Sequence, residues 1–458
     1  MARQQLITLA VAMVVVLLAS AAESGEPAAA PGTAGAAAPA PGVPVTRNAK
    51  DFYTEDSATC GIQEAINSLP KEGGRVLLEA RTYVLRASIV LRENVTLSGH
   101  GRDTILKRRA EVIHKLTENA TQGASTVTVA ATDSLRVGDE IAIRDDKFNG
   151  WYCTHGIIKE IKGNVITIDD RLVQPYKLEQ KAIVINHHPM VSVFRIWDYR
   201  YHTSGFVVED ITIDGNLAEN PTPISDWSTA AIHLASTGYG TIQRVVVRNF
   251  ITDGISDQYG LFNVIRDCLV ENCRGNGFHP GTSVRGSRFI NNIARNNEGD
   301  GLFFCADVTG IQVTNNTFAN NKKNGIGGIG AGGDSFNVVS GNVCFGNGRN
   351  GIQTDAGGCN TITANVCFDN STAEPGKFAG IGLENTTDVI VTGNICGSKV
   401  AKGKPLTQGY GIVETGTCDR NVITGNIVRD NSVGAVVTVG AASVSTGNVS
   451  APPVELPK

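Results

Sequence analysis

Short runs of apolar and β-branched residues recur through most of the chain, separated by Gly, Asn, Asp and Ser. Runs such as Val245–Val247 and Val389–Val391 have about the length of one strand, with turn residues on either side. Neither a leucine ladder nor a helical leg accompanies them, which distinguishes the pattern from leucine-rich repeats. The pattern predicts an all-β chain made of many short strands.

A polar residue, then Gly, then an apolar residue recurs as an anchor, first at Asp253-Gly254-Ile255. Successive anchor glycines are 23, 24, 24, 26, 29, 31 and 23 residues apart: Gly254, Gly277, Gly301, Gly325, Gly351, Gly380, Gly411 and Gly434. Ala230-Ala231-Ile232 extends the series one step upstream. A period in the twenties with several strands per repeat predicts a solenoid, a parallel β-helix whose coils stack about 4.8 Å apart.

Stacking of equivalent residues predicts columns along the solenoid. The apolar anchor residues are expected to form one interior column: Ile232, Ile255, Phe278, Leu302, Ile326, Ile352, Ile381 and Ile412. A second anchor, Asn-x-apolar, predicts an asparagine ladder at the turns, with Gly supplying positive φ: Asn316, Asn342, Asn365, Asn394 and Asn426. Cys344, Cys367 and Cys396 share one register, and we interpret them as packed thiols rather than disulfides.

The two ends of the repeat region have different predicted roles. Ile62, Ala65, Ile66 and Leu69 fall at helical spacing before Pro70, so Ser57 to Leu69 is expected to be a helix that caps the solenoid. Residues 110–190 break the period and contain alternating strands, which predicts a small inserted β subdomain. The segment IQEAINSLPKEGGRVLLEARTYVL…NVTLSGHG resembles the cap and first coil of the pectate-lyase-like superfamily. That resemblance implies a right-handed parallel β-helix with one N-terminal capping helix.

Composition bounds the compartment and the partners. An apolar run from Leu6 to Leu18 after Arg3, followed by small residues, predicts a signal peptide over residues 1–21 and a secreted or periplasmic protein. The predicted organisation continues with an Ala/Pro/Gly-rich linker (22–46), cap and first coils (47–109), the insertion (110–190), repeats (191–450) and a tail (451–458). A net charge of −4 without a basic block argues against nucleic acid. We expect a monomer with no membrane contact after signal cleavage.

The candidate chemistry lies on the outer face. Because side chains alternate, the residue after each interior position points outward. This predicts the column His233, Ser256, His279, Phe303, Gly327, Gln353, Gly382 and Val413. Two positions further lie Ala235, Gln258, Gly281, Cys305, Ile329, Asp355 and Glu384. His233 and His279 are thereby expected on one exposed face, roughly 9 to 10 Å apart across two coils.

This histidine pair suits β-elimination or epimerisation of a uronic acid, which remove the proton beside a carboxylate. Both reactions need a base and a positive group. The predicted catalytic residues are the base His279, the binding or neutralising groups His233 and Arg285, the proton donor Tyr259, and Asp257, which would orient a histidine. The predicted substrate-binding residues are Trp227, Gln258, Phe303 and Gln353. Solvated polar residues on a strand face are the structural alternative.

Other readings remain open. Asp355 and Glu384, with Asp300 and Asp307 nearby, are candidates for the two carboxylates of a glycoside hydrolase. A non-catalytic carbohydrate-binding or structural β-helix is a third possibility. No metal ligand is assigned; Asp145-Asp146 and Asp169-Asp170 are compatible with Ca²⁺, but turns explain them better. Asp214, Arg248, Glu271 and Arg295 alternate in sign and predict a ladder of cross-strand ion pairs, and Trp197, Tyr199, Tyr201 and Trp227 cluster before the regular coils.

The segment Gly277-Phe278-His279-Pro280-Gly281 resembles the Gly-Phe-Asp-Pro-His motif of alginate C5-epimerases. His279 stands where that motif has Asp, Gly281 where it has His, and Asn276 where a Tyr precedes it. The Arg-x-Pro-x-x-Arg motif of pectate lyases is absent. The resemblance therefore implies the location of a site but not the epimerase residue set, and a polysaccharide lyase acting on an acidic polymer remains the leading expectation.

Overall fold

The computed structural model describes residues 44–147, 151–193, 203–226, 228–399 and 405–451. The predicted signal peptide, most of the linker, the tail from residue 452, and Trp197, Tyr199, Tyr201 and Trp227 lie outside the described residues. Three parallel sheets, called A, B and C, run the length of the solenoid. Each coil contributes one short strand to each sheet, which confirms the predicted parallel β-helix.

Sheet A has thirteen strands among the described residues: Thr46–Asn48, Gly74–Leu77, Val95–Ser98, Val207–Glu209, Thr241–Gln243, Val264–Arg266, Arg288–Ile290, Gln312–Thr314, Val338–Ser340, Thr361–Thr363, Ile390–Thr392, Val422–Thr424 and Val444–Thr446. Sheet B has twelve: Thr82–Leu85, Ile105–Arg108, Thr212–Asp214, Val246–Arg248, Leu269–Glu271, Ile293–Arg295, Thr317–Ala319, Val343–Phe345, Val366–Phe368, Ile395–Gly397, Ile427–Arg429 and Val449–Ala451. Sheet C has eleven: Ile89–Val90, Val191–Val193, Ala230–Ala235, Asp253–Gln258, Phe278–Pro280, Leu302–Phe303, Ile326–Ile329, Ile352–Asp355, Ala379–Glu384, Tyr410–Thr415 and Gly434–Val437. Thr203–Ser204 and Thr237–Gly238 form a separate two-stranded pair.

The interior column of sheet C follows the predicted register. Neighbouring members pair directly from Ile232 to Ile255 and onward to Ile412. All eight members are fully buried. Cys344, Cys367 and Cys396 also stack in register inside sheet B. All ten cysteines lie in the described residues and are free thiols.

Asparagine ladders hold the turns, as predicted. The amide oxygen of Asn342 accepts a hydrogen bond from the backbone N–H of Asn316, and the same bond repeats from Asn342 to Asn365. The residue before each ladder asparagine has positive φ; it is glycine in some coils, as predicted, such as Gly341 (φ 66°) and Gly393 (φ 64°), and asparagine in others, such as Asn315 (φ 57°).

The anchor glycines have a different requirement. A Cβ on Gly325 would lie 2.6 Å from the carbonyl oxygen of Gly351, and one on Gly301 would lie 2.6 Å from that of Gly325. Neither glycine has a left-handed backbone. The anchor therefore needs glycine because successive coils approach backbone to backbone at this point.

The N-terminal cap is shorter than predicted. The α-helix runs only from Ile62 to Asn67, because Gly61 (φ 87°) turns the chain immediately before it. The Thr59 hydroxyl accepts a hydrogen bond from the Gln63 N–H in the first turn. Short 3₁₀ helices are Ala49–Phe52, Gly101–Asp103, Leu178–Gln180 and Leu217–Glu219. No helix among the described residues has the length and apolar character needed to cross a membrane.

A six-stranded antiparallel sheet interrupts the solenoid between sheets B and C, with its own apolar core. Its strands are Ile113–Lys115, Thr126–Thr128, Glu140–Arg144, Thr154–Lys162, Val165–Ile168 and Ile183–Ile185. Asp139 anchors it to the first coils by accepting bonds from Arg86 at 2.6 Å and Arg109 at 2.9 Å. The Glu140 carboxylate also accepts a bond from the Ser88 N–H at 2.7 Å. This inserted sheet is thus tied to the N-terminal end of sheet C.

Candidate active site

The outward column of sheet C has the predicted register at its N-terminal end. Ser256 pairs with both His233 and His279, so the two histidines lie two strands apart on one face. The face is not exposed as expected, because His233 and Ser256 are only 3% and 1% exposed. The His279 side chain is 13% exposed and is the more accessible histidine.

His279 forms an ion pair that the sequence reasoning did not assign. Its Nδ1 lies 2.6 Å from an Asp253 carboxylate oxygen. Burial lowers the pKa of His279, but the charge and hydrogen bond of Asp253 more than offset this and raise the pKa to about 10, with a smaller contribution from Cys305. Phe303 packs against the imidazole edge to face, with 5.4 Å between ring centroids. The imidazole is therefore oriented on one nitrogen by a carboxylate, and its other nitrogen, Nε2, is buried.

Asp253 is held in place by its own partners. Its second carboxylate oxygen accepts a hydrogen bond from the Asn276 N–H. Burial raises the pKa of Asp253, yet attraction to His279 and the bonds that it accepts leave the pKa below its ordinary value. The charge of half-buried Lys323 acts in the same direction. From the sequence, Asp253 was identified only as the polar residue of the first anchor, and its place one coil before His279 was the available signal.

His233 has the opposite electrostatic character. Burial lowers its pKa to about 4, so the imidazole is uncharged at neutral pH. Asp226 and His155 act on it from the covering segments, and they form their own 2.6 Å pair. His155 comes from the inserted sheet and Asp226 from the loop before Ala230–Ala235. These two residues explain why the first coils of the face are covered.

Asp257 does not contact a histidine. It pairs with Leu234 and Pro280, and its carboxylate accepts hydrogen bonds from Asn263 at 3.0 Å and Ser287 at 3.0 Å. Burial raises its pKa to about 6. The predicted histidine-orienting contact is made by Asp253 instead, because Asp257 has the parity of the interior column.

The remaining predicted residues divide between the face and the corner that joins sheets C and A. Gln258 is buried and donates to the Ser256 hydroxyl at 2.9 Å, beside the histidines. Arg285 lies at the corner, where it pairs with Asp307 at 2.6 Å. Tyr259 is half-buried, with a left-handed backbone (φ 52°).

A second polar group occupies the later coils of the face. Gln353 Nε2 donates to Asp355 at 2.8 Å and to Glu384 at 3.4 Å. Asp355 and Glu384 are direct neighbours on adjacent strands, as predicted. Burial raises the pKa of Asp355. Ile329 pairs with Thr354 rather than lying level with Asp355, because the register shifts at a bulge that contains Gly328 (φ 76°).

The ion-pair ladder on sheet B follows the prediction. Arg248 bonds to Asp214 at 2.8 Å, and Arg295 bonds to Glu271 at 2.6 Å. These four residues pair in register on neighbouring strands. Half-exposed pairs of this kind contribute little to stability, and they are remote from the histidines on sheet C.

Comparison with known proteins agrees with this architecture. The model of the family described as "Right handed beta helix region" matches residues 199–367. That match agrees with the right-handed parallel β-helix of the structure. The A-module of mannuronan C-5 epimerase AlgE6 from Azotobacter vinelandii is similar in structure, with a TM-score of 0.56 and 20% identity, covering 89% of this chain and 99% of that one.

Two further solved structures share the fold. The AlgE4 A-module of the same organism has a TM-score of 0.57 and 18% identity, covering 87% of this chain and all of that one. Gene product 12 of bacteriophage phi29 has a TM-score of 0.59 and 11% identity, covering 88% of this chain and 52% of that one. At these identities the likeness establishes the fold alone. No curated protein matches the chain.

The model of a second family, described as "Periplasmic copper-binding protein (NosD)", matches residues 323–446. That stretch contains no histidine or methionine, and its stacked cysteines are buried in the core. Across the described residues, no three His, Cys, Asp or Glu side chains come together in a way that could hold a metal ion. The donor set therefore does not suit copper, and Ca²⁺ at the acidic pairs stays a prediction.

Proposed function

We propose that this β-helix protein acts outside the cytoplasm on a uronate-containing polysaccharide, and that it cleaves the chain by β-elimination. The supporting observation is the Asp253–His279 pair on the outer face of sheet C. A carboxylate that binds Nδ1 fixes the ring and makes the imidazole a stronger base once Nε2 has lost its proton at high pH.

The surroundings supply the other requirements of the reaction. The substrate carboxylate needs a positive group, and Lys323 is near enough for its charge to act on both Asp253 and Asp300. Arg285, assigned this role from the sequence, lies beside Asp307 at the corner rather than on the face that holds His279. His233 is uncharged and covered, so in this proposal it shapes the pocket beside Ser256 rather than neutralising charge.

The location outside the cytoplasm rests on the predicted signal peptide over residues 1–21, and the partial match to a family described as periplasmic supports it. The epimerases among the structural relatives are named for a reaction on mannuronan. Epimerisation starts with the same proton abstraction as elimination, so the proposed site is compatible with either outcome. A single polysaccharide-binding chain without a nucleic-acid or membrane partner remains the expectation.

Hydrolysis is the second candidate, and the Gln353 network favours it. Adjacent strands hold Asp355 and Glu384 about 4.8 Å apart at the backbone, close to the roughly 5 Å between carboxyl groups of retaining glycosidases. The pKa of Asp355 is raised by burial, as a proton donor requires, and Glu384 is exposed.

The test is product analysis with residues 47–458 on acidic and neutral polysaccharides. We expect unsaturated products from a uronate polymer, lost in His279→Gln and retained in His100→Gln, a matched change at an exposed histidine on another corner. Deuterium uptake from solvent without chain shortening would replace elimination by epimerisation. New reducing ends without unsaturation, lost in Asp355→Asn but not in His279→Gln, would favour hydrolysis. Binding without any product would contradict all three.

A further inference from the structure

One position of each coil, at the corner between sheets C and A, forms a continuous column. Its members directly follow residues that bridge from coil to coil, including Gly238, Leu261 and Arg285. Every member has a left-handed backbone, with φ between 53° and 68°: Tyr239, Phe262, Gly286, Gly310, Phe336, Cys359, Asp388 and Arg420. Gly, Asn or Asp would suit such a column best.

Three members are instead large aromatic residues that are strongly exposed. Tyr239 is 63% exposed, Phe262 is 49% exposed and Phe336 is 67% exposed. An aromatic residue here is unfavourable twice, because its backbone is in the left-handed region and its ring is in water. Neither penalty is offset by packing in the core, and strained backbones of this kind concentrate at functional sites.

The rings form a surface rather than isolated side chains. Tyr239 and Phe262 lie 5.5 Å apart between ring centroids, with their planes tilted by 30°. The Phe262 ring leans over the next coil, so that a Cβ on Gly286 would lie 2.4 Å from it. One coil further on, a Cβ on Gly310 would have no heavy atom within 4 Å. An open gap at Gly310 thus separates the first two rings from Phe336.

We propose that Tyr239, Phe262 and Phe336 form a platform that binds a polysaccharide chain lying along the solenoid axis. Coils repeat every 4.8 Å or so, close to the length that one pyranose residue adds to an extended chain. Successive sugars can therefore meet successive coils, and the apolar faces of their rings can stack on the aromatic side chains.

Arg285 gives the platform a charge preference. It immediately precedes Gly286, over which the Phe262 ring leans, and its side chain is 39% exposed beside Asp307. A guanidinium in this place can bind sugar carboxylates or hydroxyls. The platform should therefore favour an acidic polymer over a neutral one. The preference for uronates agrees with the proposed function, but binding at the platform does not depend on chemistry at His279.

The test separates binding from turnover. Affinity electrophoresis in gels containing polygalacturonate, alginate or dextran measures binding by the wild type, by Tyr239→Asn/Phe262→Asn/Phe336→Asn, and by His279→Gln. Asn tolerates the left-handed backbone, so the triple variant should fold with an undiminished thermal midpoint. Arg420→Asn is the matched control, since Arg420 occupies the same column without an aromatic ring.

We expect the wild type to bind at least one acidic polymer, and each ring to contribute about tenfold in affinity. The triple variant should lose retardation, while His279→Gln and Arg420→Asn keep it. Equal retardation of the triple variant and the wild type would overturn the platform, as would no retardation of the wild type by any of the three polymers. If His279→Gln loses its products but still binds, both the platform and the proposed lyase are supported. If the wild type and all variants bind or fail to bind as expected but none forms products, the platform is supported and the proposed lyase is contradicted.

Discussion

The charge of His279 yields a prediction that can be worked out from the structure. The change is Asp253→Asn, which keeps the size of the side chain and removes its charge. In the wild type, burial lowers the pKa of His279 and Asp253 raises it to a net value of about 10. Without the carboxylate charge, burial dominates, so the pKa should fall below the ordinary 6.5. His279 would then change from charged to neutral at pH 7.

The stability that depends on this pair follows from the same values. A folded-state pKa of about 10 against an ordinary 6.5 corresponds to at most about 5 kcal/mol, at about 1.4 kcal/mol per unit. Side-chain exposures of 13% for His279 and 20% for Asp253 reduce this upper limit through solvent screening. Because the pKa is raised in the folded state, the stabilisation is fully present below pH 6.5 and is lost as the pH rises to about 10.

Two measurements check the prediction. The Cε1 resonance of His279 in protein with ¹³C-labelled histidine, assigned with His279→Gln, should titrate near pH 10 in the wild type and below pH 6.5 in Asp253→Asn. If His279 is the base, product formation should rise with pH toward 10 in the wild type, and the rise should move to lower pH in the variant. An unchanged His279 titration in Asp253→Asn would refute the electrostatic reasoning. A rate that falls as His279 loses its proton would refute its role as base.

Three further predictions concern the scaffold. Gly325→Ala should lower the free energy of unfolding by about 1–3 kcal/mol, because its Cβ would meet the Gly351 carbonyl oxygen at 2.6 Å. Gly325→Asn should be no more stable than Gly325→Ala in denaturant titration. A more stable Asn variant would mean that backbone conformation, rather than close approach, requires the glycine. Asn321→Ala should cost about 3 kcal/mol because the buried Asn297 N–H and Ala294 carbonyl oxygen of the preceding coil lose their bonds to its amide. Exposed Asn320→Ala should cost only about 1 kcal/mol, and equal losses would contradict the ladder. Burial raises the pKa of the Asp334 carboxyl to about 7. The stabilisation from the protonated carboxyl is therefore present below pH 3.8 and is lost as the pH rises toward 7. Asp334→Asn should remove that part of the pH dependence of the thermal midpoint, and an unaltered profile would contradict this prediction.

Much of the scaffold could be predicted because a solenoid converts spacing along the chain directly into register. Once the glycine steps are known, the interior partners of Ile255 or Cys367 follow without three-dimensional information. Residue spacing does not predict the strand pairing where the register itself shifts, as it does between Ile326 and Ile329. The close approach of the coils at the anchor glycines was not predicted, since it leaves no local signal in the sequence.

The candidate site was harder to predict because its environment comes from outside the repeat. The spacing placed His233 and His279 correctly on one column, but the pairing of His155 with Asp226 joins segments 71 residues apart with no shared period. Those segments decide which column members are covered. The same limitation hid Asp253, because a polar residue before Gly has an adequate explanation as a turn.

The covering of sheet C explains why His279, rather than any other member of the column, is a reasonable place for chemistry. The inserted sheet and its neighbouring loop bury His233 and Ser256 almost completely, whereas Phe303 and later positions have no such histidine–carboxylate pair. His279 lies at the boundary, with a side chain 13% exposed beside an aspartate that is 20% exposed. A proton-transfer group must be shielded enough for its pKa to depart from that in water, yet it must still be reachable by a polymer. Within the outward column, His279 meets both conditions, and the exposed aromatic corner at Phe262 belongs to the coil immediately before it.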